Sequence, residues 1–105
     1  MYKLQRSDID LFLIGQIAMC QRLEIAVTPY LASKWLKCTP PTARKILSGM
    51  QERELIMFEI DHNHPRTAQC AKLRKHGYDL LRDNKAIYVD ILLSVFVRLI
   101  RKELS

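Results

Sequence analysis

Glycine is scarce in this chain, with three in 105 residues. They never cluster, so no glycine-rich loop is available to cradle a phosphate. The three cysteines, Cys20, Cys38 and Cys70, are odd in number and irregularly spaced. That argues against a disulfide framework and for a reducing compartment. Asp61, His62, His64 and Cys70 are ligand types, and two histidines one residue apart can converge in a turn. Nothing at metal-site spacing completes a tetrahedral set, so no metal is expected. No nucleophile stands with placed partners, and Asp8 and Asp10 read as partners of a helix dipole rather than an acid–base pair. Neither an enzyme nor a cofactor is therefore expected. The first ten residues, MYKLQRSDID, have no apolar core behind a basic start and do not read as a signal peptide. The longest apolar run, residues 86–100, is broken by Asp90 and Arg98. It falls short of the roughly 20 residues a spanning helix needs. No membrane partner is expected, and the location implied is the cytoplasm.

What the chain does have is apolar residues (49%) and positive charge, a formal +6 with a sequence pI near 9.5. The length suits one compact domain able to bury a core. Basic excess favours polyanionic partners. It is also concentrated. Residues 33–45 hold Lys34, Lys37, Arg44 and Lys45 and no acid, and residues 62–78 hold Arg66, Lys72, Arg74 and Lys75 and no acid. Between them, Glu52, Glu54, Glu59 and Asp61 oppose Arg53 alone. A merely solvated face would mix the signs, so this localisation points to nucleic acid.

Periodicity supplies the elements. Ser7 and Asp10 read as a capping-box start. Ile9, Phe12, Leu13, Ile17 and Cys20 recur at helical spacing, which predicts a first helix over 8–22. The β-branched stretch EIAVT, 24–28, predicts a very short strand. Thr28 and Pro29 predict a capped helix over 29–36, and Thr39 with Pro40 and Pro41 predicts another starting at once. On that third helix Ile46, Leu47 and Met50 should face the core while Arg44 and Lys45 fall outside that face. Trp35 and Cys38 are expected in the core. LIMFEI, 55–60, and 67–74 predict a hairpin around the turn-rich 61–66. From Gly77 to Glu103 no proline or further glycine intervenes, which permits one long helix or two broken near Asn84.

The stretch VTPYLASKWLKCTPPTARKILSGMQERELI, 27–56, resembles the helix-turn-helix of winged-helix transcriptional regulators of the small, stand-alone, prokaryotic or viral type. Pro41-Thr42-Ala43-Arg44-Lys45-Ile46-Leu47 matches the recognition helix, and LRKHGYDLL, 73–81, the segment after the wing. The resemblance covers about residues 27–82. Glu54 departs from it where a glycine usually ends the recognition helix, as do Arg74 and Lys75 where a threonine usually caps the next one. The resemblance implies a mainly α fold with a small β-hairpin, and double-stranded DNA as partner. A helix tip pushed into a groove must begin sharply and present donors. Thr39, Pro41, Thr42, Arg44 and Lys45 would meet phosphates or base edges, with Lys34 and Lys37 beside them. On the wing, His64 and Lys72 would approach DNA, and Arg66 would enter the minor groove or meet phosphate.

Of residues 86–100, the polar Asp90, Ser94 and Arg98 form one narrow strip. A surface helix of a monomer would show a wider polar face. Residues 83–105 are therefore expected to be a dimerisation helix, appended to a DNA-binding part over 1–82 in the same compact domain. Tyr88, Leu92, Phe96 and Leu99 are its expected interface with a second copy. The function implied is a sequence-specific regulator, a homodimeric repressor. The alternative is a winged-helix module that binds and inhibits another protein.

Overall fold

The computed structural model describes residues 6–60 and 69–104. Their order is α1 (Arg6–Arg22), α2 (Pro29–Leu36), α3 (Pro40–Glu52), β1 (Ile56–Ile60), β2 (Gln69–Leu73), α4 (Lys75–Asp83) and α5 (Lys85–Leu104). The strands pair antiparallel, with Ile56 opposite Leu73 and Phe58 opposite Ala71. The expected turn, including His64 and Arg66, lies outside the described residues.

Ser7, the expected cap, lies within α1 rather than ahead of it. Asp10 is accordingly no dipole partner at a frayed tip; it is 5% exposed and bound by Arg53. The segment 24–28 forms no strand. Val27 is buried, and its carbonyl accepts one hydrogen bond from Ala71 N–H at 2.8 Å. One bond anchors the segment to the hairpin without building a ladder.

Two apolar clusters share α1. Leu13, Ile14 and Ile17 pack with Val27, Ala32, Ala43, Leu47, Met50, Ile56, Ala71 and Leu73. Leu11 and Phe12 pack with Tyr88 and Ile91 of α5, and Trp35, Leu36 and Leu81 border both clusters. Tyr88, expected at an interface with a second copy, lies inside the chain instead. Its ring fills the space a Cβ at Gly15 would occupy, and its hydroxyl donates to Gln16 Oε1 at 2.8 Å. Burial pushes this phenol's pKa up, which keeps the donor neutral. Burial likewise raises the Cys20 thiol, leaving it an inert core group.

Helices α1, α2 and α3 end alike. Ile25, Cys38 and Leu55 donate backbone N–H bonds to Cys20, Ser33 and Met50, while Glu24, Lys37 and Glu54 adopt positive φ (57°, 54° and 61°). This is the Schellman arrangement without its usual glycine. The proline-free stretch from Gly77 to Glu103 resolves into two helices broken at Asn84, whose side-chain amide donates to Leu80 O at 2.9 Å.

Where α4 begins, Arg74 provides no side-chain cap. Its N–H donates to Leu55 O at 3.0 Å, and a Cβ on Gly77 would collide with that same carbonyl. Backbone cannot rotate away as a flexible side chain can. Gly77→Ala is expected to destabilise the fold by about 1–3 kcal/mol through overpacking. Urea unfolding checks this; an unchanged midpoint would show that α4 moves freely.

Candidate nucleic-acid interface

The α2–α3 unit is built by two matched helix starts. Thr28 Oγ1 accepts from Leu31 N–H at 3.2 Å, and Thr39 Oγ1 accepts from Thr42 N–H at 3.4 Å. Each cap is followed by proline in the first turn, where the missing N–H would have had no intrahelical partner. The hydroxyls of Thr39 and Thr42 also meet at 2.9 Å. Only Lys37 and Cys38 separate α2 from the cap of α3. Lys37 takes the left-handed turn, and half-buried Cys38 packs against the core.

Burial splits α3 cleanly. Ala43, Leu47 and Met50 are buried; Thr39, Pro41, Thr42, Arg44 and Lys45 are exposed. Pro41, Arg44, Lys45 and half-buried Ser48 recur at the spacing of a single helix face. Among the described residues no carboxylate lies within ion-pair distance of Arg44, Lys45, Lys34 or Lys37, whereas Arg53 and Arg82 are paired. No described carboxylate therefore competes with an outside anion for the cations of this unit.

The four do not form one patch. Arg44 and Lys45 stand on the exposed face of α3. Lys34 and Lys37 line a groove of about 1010 Å³ between α2–α3 and α5, together with Trp35, Phe96, Arg98 and Lys102. Lys72 lies on β2, half-buried and opposite Met57. Two further candidates escaped the sequence reading. Ser48 shares the Arg44–Lys45 face, a position its spacing already implied. Tyr30 is 61% exposed on the first turn of α2, with Lys34 Nζ 5.1 Å from its ring centroid. Only its spacing of four from Lys34 hinted at that cation–π contact.

No family model matches the chain, and no curated protein matches it in sequence. Solved structures do match. The Staphylococcus aureus MepR–DNA complex superposes with TM-score 0.67 at 20% identity, over 82% of this chain and 59% of that one. MepR described as a transcription regulator of the multidrug efflux pump MepA gives 0.64 at 18%, over 86% and 63%. A mutant of Lactococcus lactis ZitR gives 0.61 at 22%, over 90% and 60%. The fold is thus the winged helix-turn-helix, with α2 and α3 as its helix pair, β1–β2 as its hairpin and a long C-terminal helix. The chain spans about three fifths of the length of these solved chains. No helix among the described residues is long and apolar enough to cross a membrane.

The Thr39 cap is expected to set the start of α3. Thr39→Ala should cost about 1 kcal/mol of stability, and Thr39→Asp, which restores an acceptor, should recover most of it. Thermal unfolding followed by circular dichroism distinguishes the two; equal loss in both would mean that the cap is not what holds this terminus.

Proposed function

We propose that this chain is a DNA-binding transcriptional regulator, not an enzyme, that acts in the cytoplasm as a homodimeric repressor of the promoter it occupies. The observation that carries the reading is the exposed cation set on α3, paired with no carboxylate among the described residues and placed directly behind a sharply capped helix tip. Pro40 and Pro41 carry no N–H and Thr42 N–H is held by Thr39 Oγ1, so the tip meets an outside anion with the positive end of the helix dipole and the Thr39 and Thr42 hydroxyls rather than with a row of backbone donors. Phosphate suits that position, and Arg44 can then take guanine bidentately in the major groove. Lys45, Thr42 and Pro41 share its face, and Thr39 lies at the tip. Lys34, Lys37 and Lys72 would add phosphate contacts, with His64 and Arg66 on the wing. The fold likeness to MepR in its DNA complex supports this assignment.

The dimer rests on α5. Tyr88 and Ile91 are spent on α1, and Leu92 and Val95 border them. A second apolar face stays uncovered: Val89 (46%), Leu93 (54%), Phe96 (57%) and Ile100 (41% exposed). Their spacing of four, three and four is that of a coiled-coil seam. Monomers avoid so large a patch. A second copy across a two-fold axis would cover it and set two α3 helices about one DNA turn apart. In this reading Phe96 and Leu99 remain at the interface, Val89, Leu93 and Ile100 join them, and Tyr88 leaves. Residues 1–82 then read DNA and 83–105 join the copies.

Selection of bound fragments from a random duplex pool tests the reading by reporting whether a site exists and whether it is symmetric. Arg44→Ala should weaken binding to that site by about 1–3 kcal/mol and relax preference at one base position. Equal loss on random duplex would reduce Arg44 to a phosphate contact, and no loss would remove it from the interface. Phe96→Asp should give a folded monomer, by sedimentation, with weakened site binding. Wild-type chain that sediments as a monomer at micromolar concentration would overturn the dimer. A folded dimer that binds no duplex at any salt would favour the module that binds and inhibits another protein.

A further inference from the structure

Asp10 is a carboxylate in a place that costs energy, since burying an unpaired charge is unfavourable. It is 5% exposed, and its partner comes from far along the chain. Arg53, at the C-cap of α3, donates through Nη1 to Asp10 Oδ2 and through Nη2 to Asp10 Oδ1 at 3.1 Å. Its Nε donates to Gly49 O at 3.1 Å, which locks the guanidinium to its own helix. The carboxylate partner and the hydrogen bond raise the Arg53 pKa. This ion pair joins α1 to α3.

The pair sits where it can transmit orientation. Leu11 and Phe12, next along α1, pack against Tyr88 and Ile91 of α5. Ile9, Phe12 and Gln16 of α1 also line the groove shared by α5 with Trp35, Cys38 and Ile46 of the α2–α3 unit. Trp35 and Leu36 of α2 do border the cluster that α1 forms with α5, but that contact is apolar and directs no angle. Apolar contact between α1 and α3 is non-directional and tolerates sliding. A planar guanidinium fork on both oxygens of a carboxylate does not.

We propose that the Asp10–Arg53 pair is a positioning element that sets the tilt of α3 against the α1–α5 body, and so the half-site spacing the homodimer accepts. This inference rests on the regulator reading above. Affinity for random duplex depends on how many phosphates are neutralised, and small changes of tilt do not alter that count. Binding at a two-fold site needs both α3 helices in register at once. The pair should thus act on the ratio of specific to random binding rather than on DNA affinity as such.

The test uses full-length dimer and three duplex probes: the selected site, a series with its half-site spacing changed by single base pairs, and random sequence. Arg53→Lys keeps the charge and loses the fork; Asp10→Asn keeps the shape and loses the anion. Both are expected to remain dimeric with random-duplex affinity changed by no more than about two-fold, while the specific-to-random ratio falls by about ten-fold or more and the spacing preference broadens. A folded, dimeric Arg53→Lys with ratio and spacing preference unchanged overturns the proposal, and this variant decides the matter if Asp10→Asn does not fold. Wild-type protein with no site preference overturns the regulator reading itself, a result separate from either variant.

Discussion

Helix α1 is buried on two sides at once, and the other elements are arranged around that constraint. Leu13, Ile14 and Ile17 face the cluster beneath α2, α3 and the hairpin, while Leu11 and Phe12 face α5. A helix enclosed this way cannot present large side chains everywhere. Gly15 is the concession, because the Tyr88 ring occupies the volume its side chain would need. Gln21 then ties down the far end: its amide donates to Tyr78 Oη at 2.8 Å, and its carbonyl oxygen accepts from Leu73 N–H at 2.7 Å. Satisfying both ends of a half-buried amide leaves little freedom for α4 and β2 to shift.

Charge is distributed by the same logic. Asp10 is buried and therefore paired, because an isolated carboxylate loses its hydration without recompense. Arg44, Lys45, Lys34 and Lys37 are exposed and keep their hydration, so leaving them unpaired carries little cost in the free chain. Arg53 belongs to the first group although it follows directly on α3. Two residues of different purpose thus stand nine positions apart, one on α3 and one at its C-cap: Arg44 outward and with no carboxylate partner among the described residues, Arg53 turned back to α1. The left-handed conformations at Glu24, Lys37 and Glu54 add a local penalty. The hydrogen bonds donated by Ile25, Cys38 and Leu55 offset it by satisfying terminal carbonyls.

Local signals in the sequence matched the structure closely. Thr28–Pro29 and Thr39–Pro40 start their helices where the cap pattern said, since a cap involves residues only a few positions apart. The buried face of α3, the hairpin and the exposure of Arg44 and Lys45 were legible for the same reason. Of the two readings of the stretch from Gly77 to Glu103, the break at Asn84 is the one adopted. The misreadings lay elsewhere. Ser7 and Asp10 looked like a cap because the pattern ignores what α3 places opposite. EIAVT had strand character but meets the hairpin through one backbone bond at Ala71, because the outward N–H of Leu73 is taken by the Gln21 side chain.

By itself, then, the sequence determined the order of elements, the capped starts of α2 and α3, the outward cations and the winged-helix likeness, all of which follow from spacing along the chain. Only the tertiary structure decided which face of α5 is spent on α1 and which is left uncovered. Periodicity shows that a helix is apolar nearly all round but not which neighbour covers which side. It also decided that Lys34 and Lys37 line a groove away from Arg44 and Lys45, and that Asp10 meets Arg53. Those pairings join residues distant in sequence, and only packing brings them within reach of one another.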